Sequence, residues 1–84
     1  MRLSEVPVGA TVVVAHVNDG DRARRLEDLG FLPGTRIRVE RRAPLRDPSV
    51  YQLRGVRLAV RRADADLVEI LEILEPAEVP DAPR

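Results

Sequence analysis

The chain has 84 residues, the size of one small domain, and its 14 basic and 14 acidic residues leave no formal net charge. It has no cysteine and one histidine, which excludes disulfides, thiolate metal sites, cysteine nucleophiles and a multi-histidine site within a monomer. No apolar run approaches the roughly 20 residues of a membrane span, and the first residues lack a signal-peptide core, so we expect a cytoplasmic protein.

The first half of the chain is predicted to form two strands with one helix between them. Residues 11–17 are rich in β-branched side chains and predict the first strand. Turn residues follow, in which Asp19 or Asp21 is expected to cap a helix over about 22–29. The buried side of this helix is expected to carry Ala23, Leu26 and Leu29.

A helix stop, a tight turn and the start of a strand follow one another directly after this helix. Gly30 can take the left-handed conformation that ends a helix, and Phe31 is expected to fold back on its last turn. Pro33 and Gly34 predict a type II turn, because proline sets the first central φ and glycine supplies a positive φ next. The alternation over about 36–42 then predicts the second strand.

The second half is predicted to complete an antiparallel sheet. Pro44 and Pro48 bracket a loop that should be stiffer than its length implies. Strands are expected over about 50–54 and 56–61, joined by a tight hairpin at Arg54-Gly55, with a helical turn at 63–66. The inward side chains of the fourth strand are expected to be Val56, Leu58 and Val60.

The segment 67–74 fits both a helix and a strand. Its leucines and isoleucines follow helical spacing, yet Val68 and Ile70 also fit a closing strand, which we predict. The proline-rich, acidic segment 76–84 is predicted to be a disordered tail, which makes 1–75 the folded domain.

The order and spacing of these elements resemble the FeoA family, small cytosolic accessory proteins of bacterial ferrous iron uptake. The residues that carry the resemblance are the run from Arg25 to Gly34, the Ala-Pro-Leu-x-Asp-Pro run at 43–48, and the segments 53–62 and 63–70. Matching positions extend from about Leu3 to about Leu71. The resemblance implies a mainly β fold, a small SH3-like antiparallel barrel with one short inserted helix.

The resemblance also implies a function and a partner. It predicts a non-enzymatic accessory protein, without a cofactor, that docks on and modulates a FeoB-type transporter, a membrane protein with a guanine nucleotide-binding domain. The protein would then be cytoplasmic, or peripheral at the inner membrane through that partner. The candidate contact residues are Arg24, Arg25, Leu29, Phe31, Leu32, Pro33, Pro44, Leu45 and Arg46, with Gly30, Gly34 and Gly55 as structural turn residues.

Two of these candidates leave alternatives open. Leu32 either packs in the core or offers a partner an exposed apolar anchor. Arg46 stands where the family pattern has glycine, so a loop with positive φ there would be strained by arginine, and a differently shaped loop is expected.

Other functions are less well supported by the residues. No catalytic set of hydroxyl, base and orienting group is present, and no metal ligand set is predicted. His16 is expected to be an ordinary strand residue, the alternative being a ligand shared between subunits with help from Asp19 or Asp21. Nucleic-acid binding is not expected, because only Phe31 and Tyr51 could stack on bases.

Charge and fold leave three further alternatives. Nine arginines lie between 34 and 62 against two acids, and they either are neutralised by neighbouring strands or form a basic face for an acidic partner or an anionic membrane. A stand-alone SH3-like module related to the C-terminal domain of DtxR-type metal-dependent repressors is the alternative function, although no winged-helix DNA-binding portion accompanies it here. A homo-oligomer through an edge strand is the third alternative.

Overall fold

The computed structural model describes residues 1–18 and 20–77. Within them the chain has five strands, with one helix between the first two strands and a helical turn before the last, as the sequence pattern predicted. The elements are a 3₁₀ turn at Leu3–Glu5, β1 (Thr11–Val17), α1 (Asp21–Asp28), β2 (Arg36–Arg42), β3 (Ser49–Leu53), β4 (Val56–Val60), α2 (Arg62–Ala65) and β5 (Val68–Glu75).

The five strands form one antiparallel sheet in the order β4-β3-β2-β1-β5. Its register is regular between β3 and β4, whereas the pairing of β1 with β5 shifts at three points. Such bulges bend a strand and increase its twist, which helps a small sheet wrap around its own core. The mainly β class with a helix inserted between the first two strands is confirmed.

The core lies inside this wrapped sheet, and α1, α2 and the 3₁₀ turn cover its open side. β1 and β2 contribute the β-branched side chains of Val12, Val14, Ile37 and Val39, because alternate residues of a strand point inward. The largest fully buried side chains are Tyr51, Phe31, Leu3, Ile37, Val6, Val12, Val14, Val39 and Val68. No helix in the part of the chain that the structure describes is long and apolar enough to cross a membrane.

Several expectations need correction. Gly20 is the residue that caps α1, without a side-chain hydrogen bond, so Asp21 is not the cap, and Asp19 lies outside the described residues. Val56 is exposed rather than inward, because it lies at the hairpin end of the edge strand β4. Leu29 is nearly half exposed, since α1 ends just before it.

The C-terminal segment is a strand, as predicted, and β5 extends to Glu75. Its first residue, Val68, is fully buried, whereas Leu71, Ile73 and Leu74 are exposed. The predicted tail begins at residue 76, and its residues 78–84 lie outside the described part of the chain.

Candidate docking surface

The segment after α1 is a corner built almost entirely from backbone hydrogen bonds. The amide of Phe31 donates to the carbonyl of Leu26 at 3.1 Å, and the amide of Gly30 donates to the carbonyl of Glu27 at 3.0 Å. This is the Schellman pair of bonds, which requires a left-handed residue at Gly30, and its φ is 115°. Phe31 and Leu26 are both buried in the same hydrophobic cluster, as the apolar partners of this motif should be.

The chain then turns sharply and joins β1. The amide of Thr35 donates to the carbonyl of Leu32 at 2.9 Å, which closes the predicted turn around Pro33 and Gly34. The φ of Gly34 is 88°, as a type II turn requires. The Gly34 amide also donates to the Val14 carbonyl at 2.8 Å, so the turn is fixed to the first strand.

This geometry separates the buried residues of the corner from the exposed ones. Phe31 has 0% exposure and lies in the core, so it cannot touch a partner of the folded chain. Leu32 is 39% exposed and Leu29 is 46% exposed, which makes Leu32 an exposed apolar residue rather than a core one. Pro33, Arg24 and Arg25 are also exposed. We call Arg24, Arg25, Leu29, Leu32 and Pro33 the corner surface.

A groove runs from the corner surface along α1. Its helix side is formed by Arg22, Arg25, Leu26 and Leu29, and its other side is formed by residues 59–61 and by Asp64. Arg22 Nη1 lies 3.2 Å from Asp64 Oδ1 at one end of the groove. The helix therefore presents both apolar and basic side chains beside an edge strand.

The loop between β2 and β3 forms a second exposed patch. The amide of Arg46 donates to the carbonyl of Ala43 at 2.7 Å, and the amide of Ala43 donates to the carbonyl of Pro48 at 3.0 Å. Leu45, at the tip, is 90% exposed. Arg46 has a φ of 68°, so the arginine itself takes the left-handed conformation that it was expected to avoid.

The two patches lie at opposite ends of β3. Gly30 lies against Leu53 and Arg54, at the end of β3, whereas the 43–48 loop leads directly into Ser49 at its start. The five residues of β3 separate these ends by about 13 Å at roughly 3.3 Å per residue. The loop residues Pro44, Leu45 and Arg46 therefore form an exposed patch separate from the corner surface.

Charged groups are partly neutralised across strands. Arg57 Nε on β4 lies 2.6 Å from Glu40 Oε1 on β2, which spans the intervening strand. His16 is exposed and lies opposite Glu69 in the pairing of β1 with β5. Among residues 1–18 and 20–77 no three histidine, aspartate or glutamate side chains converge as a metal-binding group would.

Tyr51 is the buried titratable residue of the structure. Burial raises the pKa of the Tyr51 hydroxyl above its usual 10.0, while the hydrogen bond to Ser49 and the charge of Arg42 act in the opposite direction. The chain has no lysine, no cysteine and no second tyrosine, so no other side chain titrates near this pH.

The protein is therefore expected to lose stability above about pH 10. The folded-state pKa of Tyr51 is raised, so its contribution is complete below the unfolded value and falls as pH rises through the folded value, because the unfolded chain ionises first. Urea unfolding from about pH 8 to pH 11 measures the loss. In Tyr51→Phe the dependence over the same range should be nearly flat, and an equally steep fall in that variant would contradict the assignment.

Comparison with known proteins identifies the family. The model of the FeoA domain family matches residues 1–71. An Fe²⁺ transport protein A/Fe²⁺ transporter FeoB fusion protein of Porphyromonas gingivalis is 38% identical over 71 residues, which cover 83% of this chain. The chain spans only 8% of the length of that fusion protein.

Solved structures show the same fold. FeoA of Stenotrophomonas maltophilia, described as a zinc complex and a prokaryotic SH3 domain protein, superposes with a TM-score of 0.76 at 35% identity, covering 83% of this chain and 88% of that one. A FeoA-like protein of Clostridium acetobutylicum gives a TM-score of 0.83 at 30% identity and covers 94% and 92%. The predicted SH3-like fold is confirmed.

A manganese-dependent transcriptional repressor superposes with a TM-score of 0.75 at 19% identity, covering 84% of this chain and 40% of that one. This likeness shows the fold alone. The sequence relatives go further than the fold, since the family model spans most of the chain, including the corner and the 43–48 loop. The chain belongs to the FeoA family of ferrous iron transport proteins.

Proposed function

We propose that this protein is a non-enzymatic accessory protein that docks on the cytosolic side of a FeoB-type ferrous iron transporter and modulates it. The observation that carries the proposal is the Porphyromonas gingivalis relative, in which a transport protein A and a FeoB transporter form one protein. Fusion holds two modules at high effective concentration, so a separate protein A needs a surface that binds the transporter by itself. The protein would act in the cytoplasm, at the inner membrane through its partner.

The corner surface is the part of the chain best suited to this contact. Leu32 and Pro33 project from a turn whose backbone is bonded to β1, and Leu29 lies beside them. Arg24 and Arg25 are exposed on the helix that leads into the corner, and Arg25 lines the same groove as Leu29. Apolar side chains at the centre and charged side chains at the rim are typical of protein interfaces.

Leu32→Asp is expected to weaken binding to the transporter's cytosolic domain by roughly tenfold or more, because it puts a charge at the centre of the contact. Biolayer interferometry with the immobilised domain measures the affinity. Leu74→Asp is the matched control, since Leu74 is 39% exposed, like Leu32, and lies at the end of β5 that pairs with Thr11 and Val12, whereas the corner is bonded to Val14. The control should bind like the unmodified chain, and both variants should unfold at the same temperature as it.

Leu45→Asp makes the same change on the 43–48 loop and tests the division into two patches. If it, rather than Leu32→Asp, abolishes binding, docking stands but the corner surface is the wrong site. An unmodified chain that binds neither the cytosolic domain nor the full transporter in detergent or nanodiscs would overturn the docking proposal.

A second candidate function is regulatory. The fold likeness to the manganese-dependent repressor favours a stand-alone SH3-like module related to DtxR-type repressors. Such a module would bind a repressor rather than a transporter, and its gene would lie beside a repressor gene. A homo-oligomer is a further proposal on partners, supported by β4 and β5 being the edges of the sheet.

A further inference from the structure

A small polar cavity lies at the start of β3, away from the corner surface. It has a volume of about 250 Å³ and lies between the ends of β2 and β3, the 43–48 loop and α2. Three arginines and three hydroxyl groups line it, with no carboxylate among the lining residues. The lining residues are Ser4, Arg42, Arg46, Ser49, Tyr51 and Arg62.

Arg42 is held in place as a donor. Its Nε donates to Ser49 Oγ at 2.8 Å, and its Nη2 donates to the Val6 carbonyl at 2.9 Å. A guanidinium has five N–H groups, so these two bonds fix its plane and leave three donors. A fixed guanidinium loses little side-chain entropy when it binds a ligand.

Arg46 and Arg62 bring two more positive charges to the same cavity. Both are exposed, and neither side chain makes a salt bridge with any residue of 1–18 or 20–77. Their backbones are fixed nevertheless. The Arg46 amide is bonded to Ala43, and the Arg62 amide donates to Asp47 Oδ1 at 3.0 Å.

Two carboxylates lie close to the cavity and offset part of its positive charge. Asp47 accepts the Arg62 amide, and Asp66 accepts the hydroxyl of Ser4. Each carboxylate is therefore engaged by an uncharged donor and is not paired with a lining guanidinium. Three arginines against these two acids leave an excess of positive charge.

We propose that this cavity binds one phosphate-type oxyanion. Guanidinium groups recognise phosphate by parallel, charge-assisted hydrogen bonds, and the Tyr51 hydroxyl can add a neutral donor. The volume is below the roughly 300–1,000 Å³ of sites for larger ligands, which favours a single phosphate group. Inorganic phosphate and the phosphodiester of a lipid headgroup share this chemistry.

The test is a titration of the ¹⁵N-labelled chain with sodium phosphate, compared with sodium chloride at equal ionic strength. The Nε–H of Arg42 and the amides of Arg46 and Ser49 are expected to shift with phosphate and to saturate at millimolar concentrations. Arg46→Gln combined with Arg62→Gln should weaken the affinity by about tenfold or more, since two charged donors are lost. Both residues are exposed, so this variant should keep the fold, which its thermal unfolding checks.

Arg36→Gln combined with Arg54→Gln is the matched control, because these two exposed arginines lie beside the turn at Pro33 and not at the cavity. The control should retain the affinity of the unmodified chain. Shifts no larger than those caused by chloride would overturn the proposal. Equal weakening in the control variant, or undiminished binding in the cavity variant, would also overturn it.

A second arm identifies the source of the phosphate group. Vesicles of phosphatidylglycerol and of phosphatidylcholine are sedimented with the chain, with and without inorganic phosphate. The site is assigned to a lipid headgroup if the chain sediments with the anionic vesicles alone, if phosphate reverses this, and if the Arg46→Gln, Arg62→Gln variant does not sediment. Saturable phosphate binding without sedimentation assigns it to free phosphate.

Discussion

Phe31→Ala is expected to lower the free energy of unfolding by about 3–5 kcal/mol, the range for truncating a buried aromatic side chain. Phe31 is fully buried and its amide closes the Schellman motif, so the change leaves a cavity beneath the corner. A chain of this size has roughly 4–13 kcal/mol of stability, so the variant would lose a large share of it. Urea unfolding followed by circular dichroism measures the difference.

Leu32→Ala is the control for this prediction, because it truncates the neighbouring apolar residue, which is exposed. Leu32→Ala should lower the free energy of unfolding by no more than about 1 kcal/mol. The pair thus separates the buried residue of the corner, Phe31, from the proposed contact residue, Leu32. A loss below about 1 kcal/mol for Phe31→Ala would contradict its place in the core.

Gly30→Ala is expected to cost about 1–3 kcal/mol for strain, with a further contribution from crowding. The φ of Gly30 is +115°, where residues with a side chain are strained, and an added Cβ would lie 3.2 Å from Leu53 Cδ1. Leu53 is itself buried, so it has little room to move. The same urea experiment gives the free energy.

Gly34→Ala isolates the strain from the crowding. Gly34 has a φ of +88°, and no atom lies within 4 Å of the position of its Cβ. Gly30→Ala should therefore be the more destabilising of the two by about 1 kcal/mol or more. Equal losses would show that the Leu53 side chain relaxes freely, which would contradict its close packing against Gly30.

Much of the fold could be predicted because its signals are local. Gly30, Phe31 and the Pro33-Gly34 pair each act on their immediate neighbours, and the structure has the helix stop and the turn where those residues predict them. The strand 68–75 was ambiguous in sequence, since helical and extended patterns coincide there. It is a strand because its backbone pairs with β1, a contact that a local pattern does not contain.

The candidate site was harder to predict for the same reason. Exposure of Leu32 and burial of Phe31 depend on which side of the corner faces the core, and the two are adjacent apolar residues in sequence. The separation of Leu45 from Leu32 follows from the length and direction of β3. The cavity at Arg42 was missed because its members come from five places in the chain, and only the excess of arginines hinted at it.

The bonds between the corner and β1 have a consequence for binding kinetics and entropy. Gly34 donates to Val14, and Val14 donates to Thr35, so the backbone on which Leu32 and Pro33 are mounted is already ordered in the free protein. A partner that binds there does not have to immobilise a loop, a step that costs about 0.5–1.5 kcal/mol for each ordered side chain. A small contact area on this preorganised corner can therefore support a specific, rapidly formed complex.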